Sequence, residues 1–235
     1  MTYHIGDAID LVGMDVVSTG ACLVRFTDQP NRLLLMGAAH GLVRKEAKPG
    51  DPIAASADKH LIGVLQTWTT FRQMITADVA LIWVDPTRVQ PAPAHGGGLN
   101  PPGALPAPSE TIEIIGGIGG GGRKGVIADN DEDIPLPAEG PDWTIAQRVV
   151  YAHQMVTTNM VSEAGDSGAI VVDKDRAIAG MVVGGRPLVK VGAIWTSQTI
   201  ITPIRQILNH PDFGGRMLEL VTAISGTEQA PPLDG

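Results

Sequence analysis

No apolar run in this chain is long enough to be anything but a strand or a short helix. "RLLLMGAAHGLV", "ADVALIWV", "GAIVVD" and "AIAGMVVGG" are brief and aliphatic or β-branched, and Gly, Pro, Asp or Asn punctuate the chain between such runs. Apolar runs of about four to eight residues with such boundaries mark strands, and many of them in succession mark an all-β chain. Composition agrees. Hydrophobic residues are 43% of the 235 but aromatics only 4%, so the core must be built from Val, Ile, Leu, Ala and Met. Twenty-nine glycines and 18 prolines favour short strands and turns over long helices. The length allows one large domain or two small ones.

Along the chain, residues 16–43 read as strand, turn, strand, with Asp28-Gln29-Pro30-Asn31 as the turn. Further strands are expected at 62–67 and 79–84. The stretch 85–109, "DPTRVQPAPAHGGGLNPPGALPAPS", is dense in Pro and Gly and reads as a linker or a long surface connection. Strand signals resume at "TIEIIGGI", "KGVIA", "QRVVYAHQMVTT", "GAIVVD", "AIAGMVVGG" and "VGAIWTSQTII". "TPIRQILNH" predicts a short helix with Thr202 as N-cap, Pro203 at its first position, and Ile204, Ile207 and Leu208 on one face. Residues 218–224 form one more candidate element, and the tail after them is expected to be loose. The expected division is a first unit over 1–90, a connection over 91–110, a second unit with its helix over 111–210, and an extension over 211–235.

A formal net charge of −8 and the lack of any Lys/Arg cluster argue against a nucleic-acid partner. No run is long enough to cross a membrane as a helix, and "MTYHIGDAID" lacks the features of a signal peptide. Cys22 is the lone cysteine, so no intrachain disulfide forms, which fits a reducing, cytoplasmic setting. Two motifs fail on context. "GIGGGG" at 117–122 spells a dinucleotide fingerprint, but "RKGVIADND" follows it with strand character where a helix should open, so a hairpin end is expected. "DNDED" at 129–133 has Ile134 and Gly140 where a calcium loop needs Gly and Glu, and reads as a solvated acidic loop. The histidines at 4, 60, 95, 153 and 210 show no metal-ligand spacing. Neither a cofactor nor a metal is expected.

The chemistry concentrates elsewhere. In "SEAGDSGAIVVD", 162–173, an acid and a hydroxyl stand between two glycines and run into an apolar strand. A plain turn is one reading. The other makes Ser167 a nucleophile, Gly165 a source of a backbone N–H facing a reacting carbonyl, and Gly168 a place where substrate lies close. His40, at the end of "LLLMGAAHGLV", is either a strand-end histidine bonded to a carbonyl or a base reaching a cleft. Asp78, before "VALIWV", is either a turn residue or a buried partner. Each is weak alone. Together they stand in the order His, Asp, Ser, with separations of 38 and 89 residues.

In that order the chain resembles the chymotrypsin-like serine peptidases, on "GAAH" at 37–40, "ADVALI" at 77–82 and "GDSG" at 165–168. "GACLVR", "KPGDPIA", "IGVLQ" and "TPIRQIL" are similar to the disulfide-free bacterial trypsin-like proteins related to the plant narrow-leaf protein. The resemblance spans roughly residues 16–210 and implies two six-stranded β-barrels with a cleft between them, and a C-terminal helix. It implies that Ser167 attacks a carbonyl carbon, His40 moves the proton, Asp78 orients the imidazole, and the N–H groups of Gly165 and Ser167 bind the oxyanion. It also implies a primary pocket lined by Val161, Ala164, Val182, Val183 and Gly184, with Val161 at its base, six residues before Ser167. A valine there cannot attract Lys or Arg, so small or medium apolar side chains are expected.

Two departures stand out. "GDSG" continues into Ala169–Ile170 where the family has Gly-Pro, and Val183 stands where a serine hydroxyl often contacts the triad acid. No processing site for a zymogen is evident, which raises the expectation of an activating or recruiting protein partner. The expected function is a serine endopeptidase acting on protein or peptide substrates. A binding or scaffold module on the same fold, and an ester hydrolase using the same groups, are the alternatives.

Overall fold

The most apolar runs are strands buried on both faces, which is why they read as continuous hydrophobic stretches and not as alternating ones. Along "LLLM" at 33–36, Leu33 and Leu35 enter the core of the first half, while Leu34 and Met36 face the second half. Ile82 and Val84 point to that same first core, whereas Val79 and Leu81 point across. In the second half, Ala169 and Val171 face inward and Ile170 and Val172 face the junction. Burying each aliphatic side chain in this way contributes about 1.5–3 kcal/mol, so the junction is a core in its own right.

The computed structural model describes residues 2–13, 17–43, 46–93, 97–117, 122–138, 147–191 and 194–232. His95 and positions 118–121 of the glycine run lie outside them. The first half gives an eight-stranded sheet in the order Leu218–Leu220, Leu23–Phe26, Leu34–Gly37, Ala80–Val84, Leu61–Trp68, Pro52–Ala55, Ala8–Leu11, Val17–Thr19. The second half runs Arg123–Ala138, Thr111–Ile115, Ile170–Val172, Ile178–Val191, Ile194–Pro203, Gln147–Thr157. Its last strand pairs back onto its first, so six strands close into a barrel without a free edge. This is the expected architecture of two chymotrypsin-like β-barrels with a short C-terminal helix, but the sheet of the first has eight strands where six were expected, one of them supplied by Leu218–Leu220.

Four local expectations need correction. Thr202 is not a helix cap: it is buried in the strand Ile194–Pro203, and its Oγ1 donates to Gln154 Oε1 at 2.7 Å. The helix starts only at Ile204 and runs to Leu208, with Pro203 before it supplying no side-chain cap. The segment expected to be a linker contains a strand, Val89–Pro93, paired in parallel with Tyr3–Ile5. Beyond it, the Asn100 N–H donates to the Arg176 carbonyl at 2.9 Å, stitching the connection to the second barrel. Asp129–Asp133 form no loop, but a stretch of the long strand Arg123–Ala138 with repeated register shifts. There Glu132 binds Arg186, and Asp131 the exposed His153. The candidate element at 218–224 is an edge strand of the first sheet, Leu218–Leu220. The tail after it is tied down where it was expected to be loose: the Gln229 N–H donates to the Asn31 carbonyl at 2.7 Å.

Candidate active site

The strand Leu34–Gly37 ends in small residues, and the chain then makes one helical turn, Ala39–Leu42, closed by the Val43 N–H to the Ala39 carbonyl. His40 therefore projects from a turn and not from a strand end, with its side chain 31% exposed at the junction. Asp78 lies just before the strand Ala80–Val84 and is fully buried. Its Oδ1 accepts the His40 main-chain N–H at 2.9 Å, and its Oδ2 lies 2.6 Å from His40 Nδ1. Burial alone would raise the Asp78 pKa. The charge of His40 and the hydrogen bonds from its ring and main chain outweigh that, and a further bond from Tyr151 adds to them, so the carboxyl is held below its usual range.

The other face of the imidazole meets Ser167, with Nε2 2.9 Å from Oγ. An ionised carboxylate at Nδ1 requires a proton on that nitrogen, which leaves Nε2 free to accept one. The Ser167 hydroxyl has a second acceptor in reach, the Val183 carbonyl at 3.0 Å. The three residues singled out from three separate stretches of sequence thus form one continuous chain of contacts.

The loop carrying Ser167 is braced from the first barrel. Thr19 Oγ1 donates to the Gly165 carbonyl and Ser18 Oγ to the Ser167 carbonyl, both at 2.9 Å, and the Thr19 N–H donates to the Ser167 carbonyl at 2.7 Å. Gly168 has φ +96°, and a Cβ there would stand 2.0 Å from the Thr19 carbonyl oxygen. The glycine therefore serves close packing of one barrel on the other, and not, as its sequence position suggested, room for substrate. Inside the loop Asp166 is fully buried; its Oδ2 accepts the Glu163 N–H at 2.5 Å and lies 2.6 Å from Arg123 Nη1. In the sequence Arg123 stands only beside Lys124, a pair too short to mark a site. Among the described residues, the N–H groups of Gly165 and Ser167 have no acceptor within the chain.

The five pocket residues are placed unevenly. Val182 is fully buried in the second barrel's core, and Val161 packs partly buried against the same cluster. Val183 joins a separate cluster with Ile75 and Tyr151. These valines offer a cleft little beyond main chain. Ala164 is exposed, and a Cβ at Gly184 would meet nothing within 4 Å. Two features unseen in the sequence border the same region. Met160 lies over Gly185, its sulfur 2.5 Å from where a Cβ would be. Ser162 and Thr199 form a buried hydroxyl pair at 2.9 Å, and Thr199 Oγ1 also accepts the N–H groups of Val161 and Ser162.

No protein-family model matches the sequence, and no curated protein matches it. Solved structures do match the fold. Protease A of Thermobifida fusca is similar at a TM-score of 0.62 and 20% identity, covering 94% of this chain and 100% of its own. The chymotrypsin of Cellulomonas bogoriensis gives 0.61 and 17%, over 94% and 100%. A Nocardiopsis protease gives 0.62 and 16%, over 93% and 100%. The chain thus has the double-barrel fold of the bacterial chymotrypsin-like serine proteases, over nearly its whole length.

Proposed function

We propose that this protein is a serine endopeptidase whose working groups are Ser167, His40 and Asp78. The observation that carries the reading is the unbroken contact from the Asp78 carboxylate through both ring nitrogens of His40 to Ser167 Oγ, at 2.6 and 2.9 Å. Ser167 Oγ attacks the peptide carbonyl carbon while Nε2 of His40 takes the hydroxyl proton. The carbonyl oxygen becomes an oxyanion, met by the N–H groups of Gly165 and Ser167, each such donor typically worth ~3 kcal/mol in the transition state. His40 then gives the proton to the leaving amine, the C–N bond breaks, and an acyl-serine remains. Water, deprotonated by the same imidazole, releases the acid and restores the hydroxyl. Nothing in this sequence of steps needs a cofactor.

Protein or peptide chains would lie along Val183–Gly184, where the space beside Gly184 is open. With Val182 and Val183 turned into the cores, the side chain before the cut faces glycine and the Met160 thioether, so a small residue is favoured over a large or basic one. A fluorophosphonate probe tests the nucleophile. Wild-type protein should be labelled at Ser167, and Ser167→Ala should lose labelling and several orders of magnitude of hydrolysis while remaining folded. Retention of more than a tenth of the activity in Ser167→Ala would reject the assignment.

A further inference from the structure

Asp78 needs more than a histidine. A carboxylate buried completely has up to four acceptor positions and no water, and every unfilled one weakens its grip on the charge. Two donors come from His40 itself. The third comes from the other barrel: the Tyr151 hydroxyl donates to Asp78 Oδ2 at 3.1 Å, across 73 residues of sequence. Tyr151 lies in the strand Gln147–Thr157 and is almost fully buried, its ring clustered with Ile75, Val149 and Val183. Burial, together with the charge of Asp78 and the hydrogen bond to it, pushes its phenol well above the usual range, so the group stays protonated and remains a donor.

This contact belongs to a larger grip. Met74–Ile75 pairs in parallel with Val150–Tyr151, placing Tyr151 level with Ile75. Gln154 Nε2 donates to the Thr76 carbonyl at 3.0 Å, while its Oε1 accepts the buried Thr202 hydroxyl. The segment that delivers Asp78 is thereby held by main-chain pairing, a side-chain amide and a phenol, all supplied from the barrel that also carries Ser167.

We infer that Tyr151 is a positioning residue for the Asp78–His40 pair, fixing the carboxylate from the second barrel at the place where Val183 supplies no hydroxyl. The inference rests on the peptidase reading above. Its consequence is that the acid is fully held only when the two barrels are docked, so the reactivity of Ser167 reports on their assembly.

The test is the rate of irreversible labelling of the full chain by a fluorophosphonate, separated into its maximal rate and its half-saturation concentration. Tyr151→Phe keeps the ring in its cluster and should lower the maximal rate about ten-fold, with half-saturation within about two-fold, as expected for an interaction made by the reacting groups and not by the probe. In an Asp78→Asn background the same change should cost nothing further, because no carboxylate is left to hold. An unchanged maximal rate in Tyr151→Phe overturns the inference. So does an equal loss in both backgrounds, which would mean that the phenol acts through packing. Were Tyr151→Phe to unfold, a fluorinated tyrosine at 151 carries the same question, since it keeps the hydroxyl and changes its acidity: the labelling rate must shift, and constancy overturns the proposal. Absence of labelling in the wild type overturns the peptidase reading and this inference together. Wild-type labelling with an unaffected Tyr151→Phe overturns this inference alone.

Discussion

Two fully buried carboxylates, Asp78 beside His40 and Asp166 beside Ser167, are treated in opposite ways. Asp78 is surrounded by directional donors, the His40 main chain, the His40 ring and the Tyr151 phenol, only one of which can carry charge. Asp166 faces a permanent cation, Arg123 Nη1 at 2.6 Å from its Oδ2, and among the described residues its Oδ1 has no hydrogen-bond partner. That oxygen packs instead against Gly117, where a Cβ would come within 2.0 Å. A group whose partner must gain and lose a proton is served by neutral donors, because a fixed cation nearby would oppose charging of the imidazole. A group that only has to hold a loop can take the strongest available counter-charge. On the proposed reading, the difference separates the reacting groups from the scaffold of the loop that carries Ser167.

The comparison breaks most visibly at Asp78. Asp78→Asn should lower the maximal rate of hydrolysis by about a thousand- to ten-thousand-fold, because an amide holds the wrong imidazole tautomer, with little change in melting temperature. A large drop in melting temperature at modest rate loss would make Asp78 a structural acid like Asp166. The reverse pattern is expected at Arg123. Arg123→Met strands a buried carboxylate and should cost about 3–5 kcal/mol of stability, as for other broken buried pairs. Thermal unfolding measures it, and adding Asp166→Asn should recover much of the loss. Indifference of the melting temperature to Arg123→Met would show that the pair holds nothing. The smallest effect belongs to Met160, which touches neither acid. Met160→Ala should shift cleavage toward larger side chains before the cut by a factor worth about 1–3 kcal/mol, read from a peptide library. An unchanged preference would remove Met160 from the pocket.

The loop carrying Ser167 is held by groups of the chain itself: the Arg123 guanidinium lies against Asp166, and Ser18 and Thr19 hold the Ser167 and Gly165 carbonyls from the opposite barrel.

What could be read in advance followed from locality. Aliphatic runs buried on two faces announce strands wherever they fall, and His40, Asp78 and Ser167 each sit in a short motif of distinctive composition. Tyr151 and Arg123 carry no such signal. Each is one residue in an ordinary strand, and its meaning depends on a carboxylate dozens of positions away in the other barrel or in another loop. The same blindness turned Thr202 into a cap, since a Thr-Pro pair before an amphipathic turn looks identical whether its hydroxyl faces the helix or Gln154. It also hid the burial of Val182 and Val183 in apolar clusters. Period-two alternation tells which residues share a face, but not whether that face looks into a core or a cleft.

The edge strand Leu218–Leu220 has a consequence in time. It pairs with Leu23–Phe26, and the Val221 N–H donates to the Leu23 carbonyl, so a strand that follows the second barrel in sequence completes the sheet of the first. A nascent chain can collapse its early strands, yet it keeps an open edge beside Leu23–Phe26 until residues 218–221 have also emerged. Such long-range closure is slow and leaves that edge exposed to other chains meanwhile. For a protein proposed to cut peptide bonds, it follows that the sheet flanking His40 and Asp78 is completed only after the second barrel, Ser167 included, has been made.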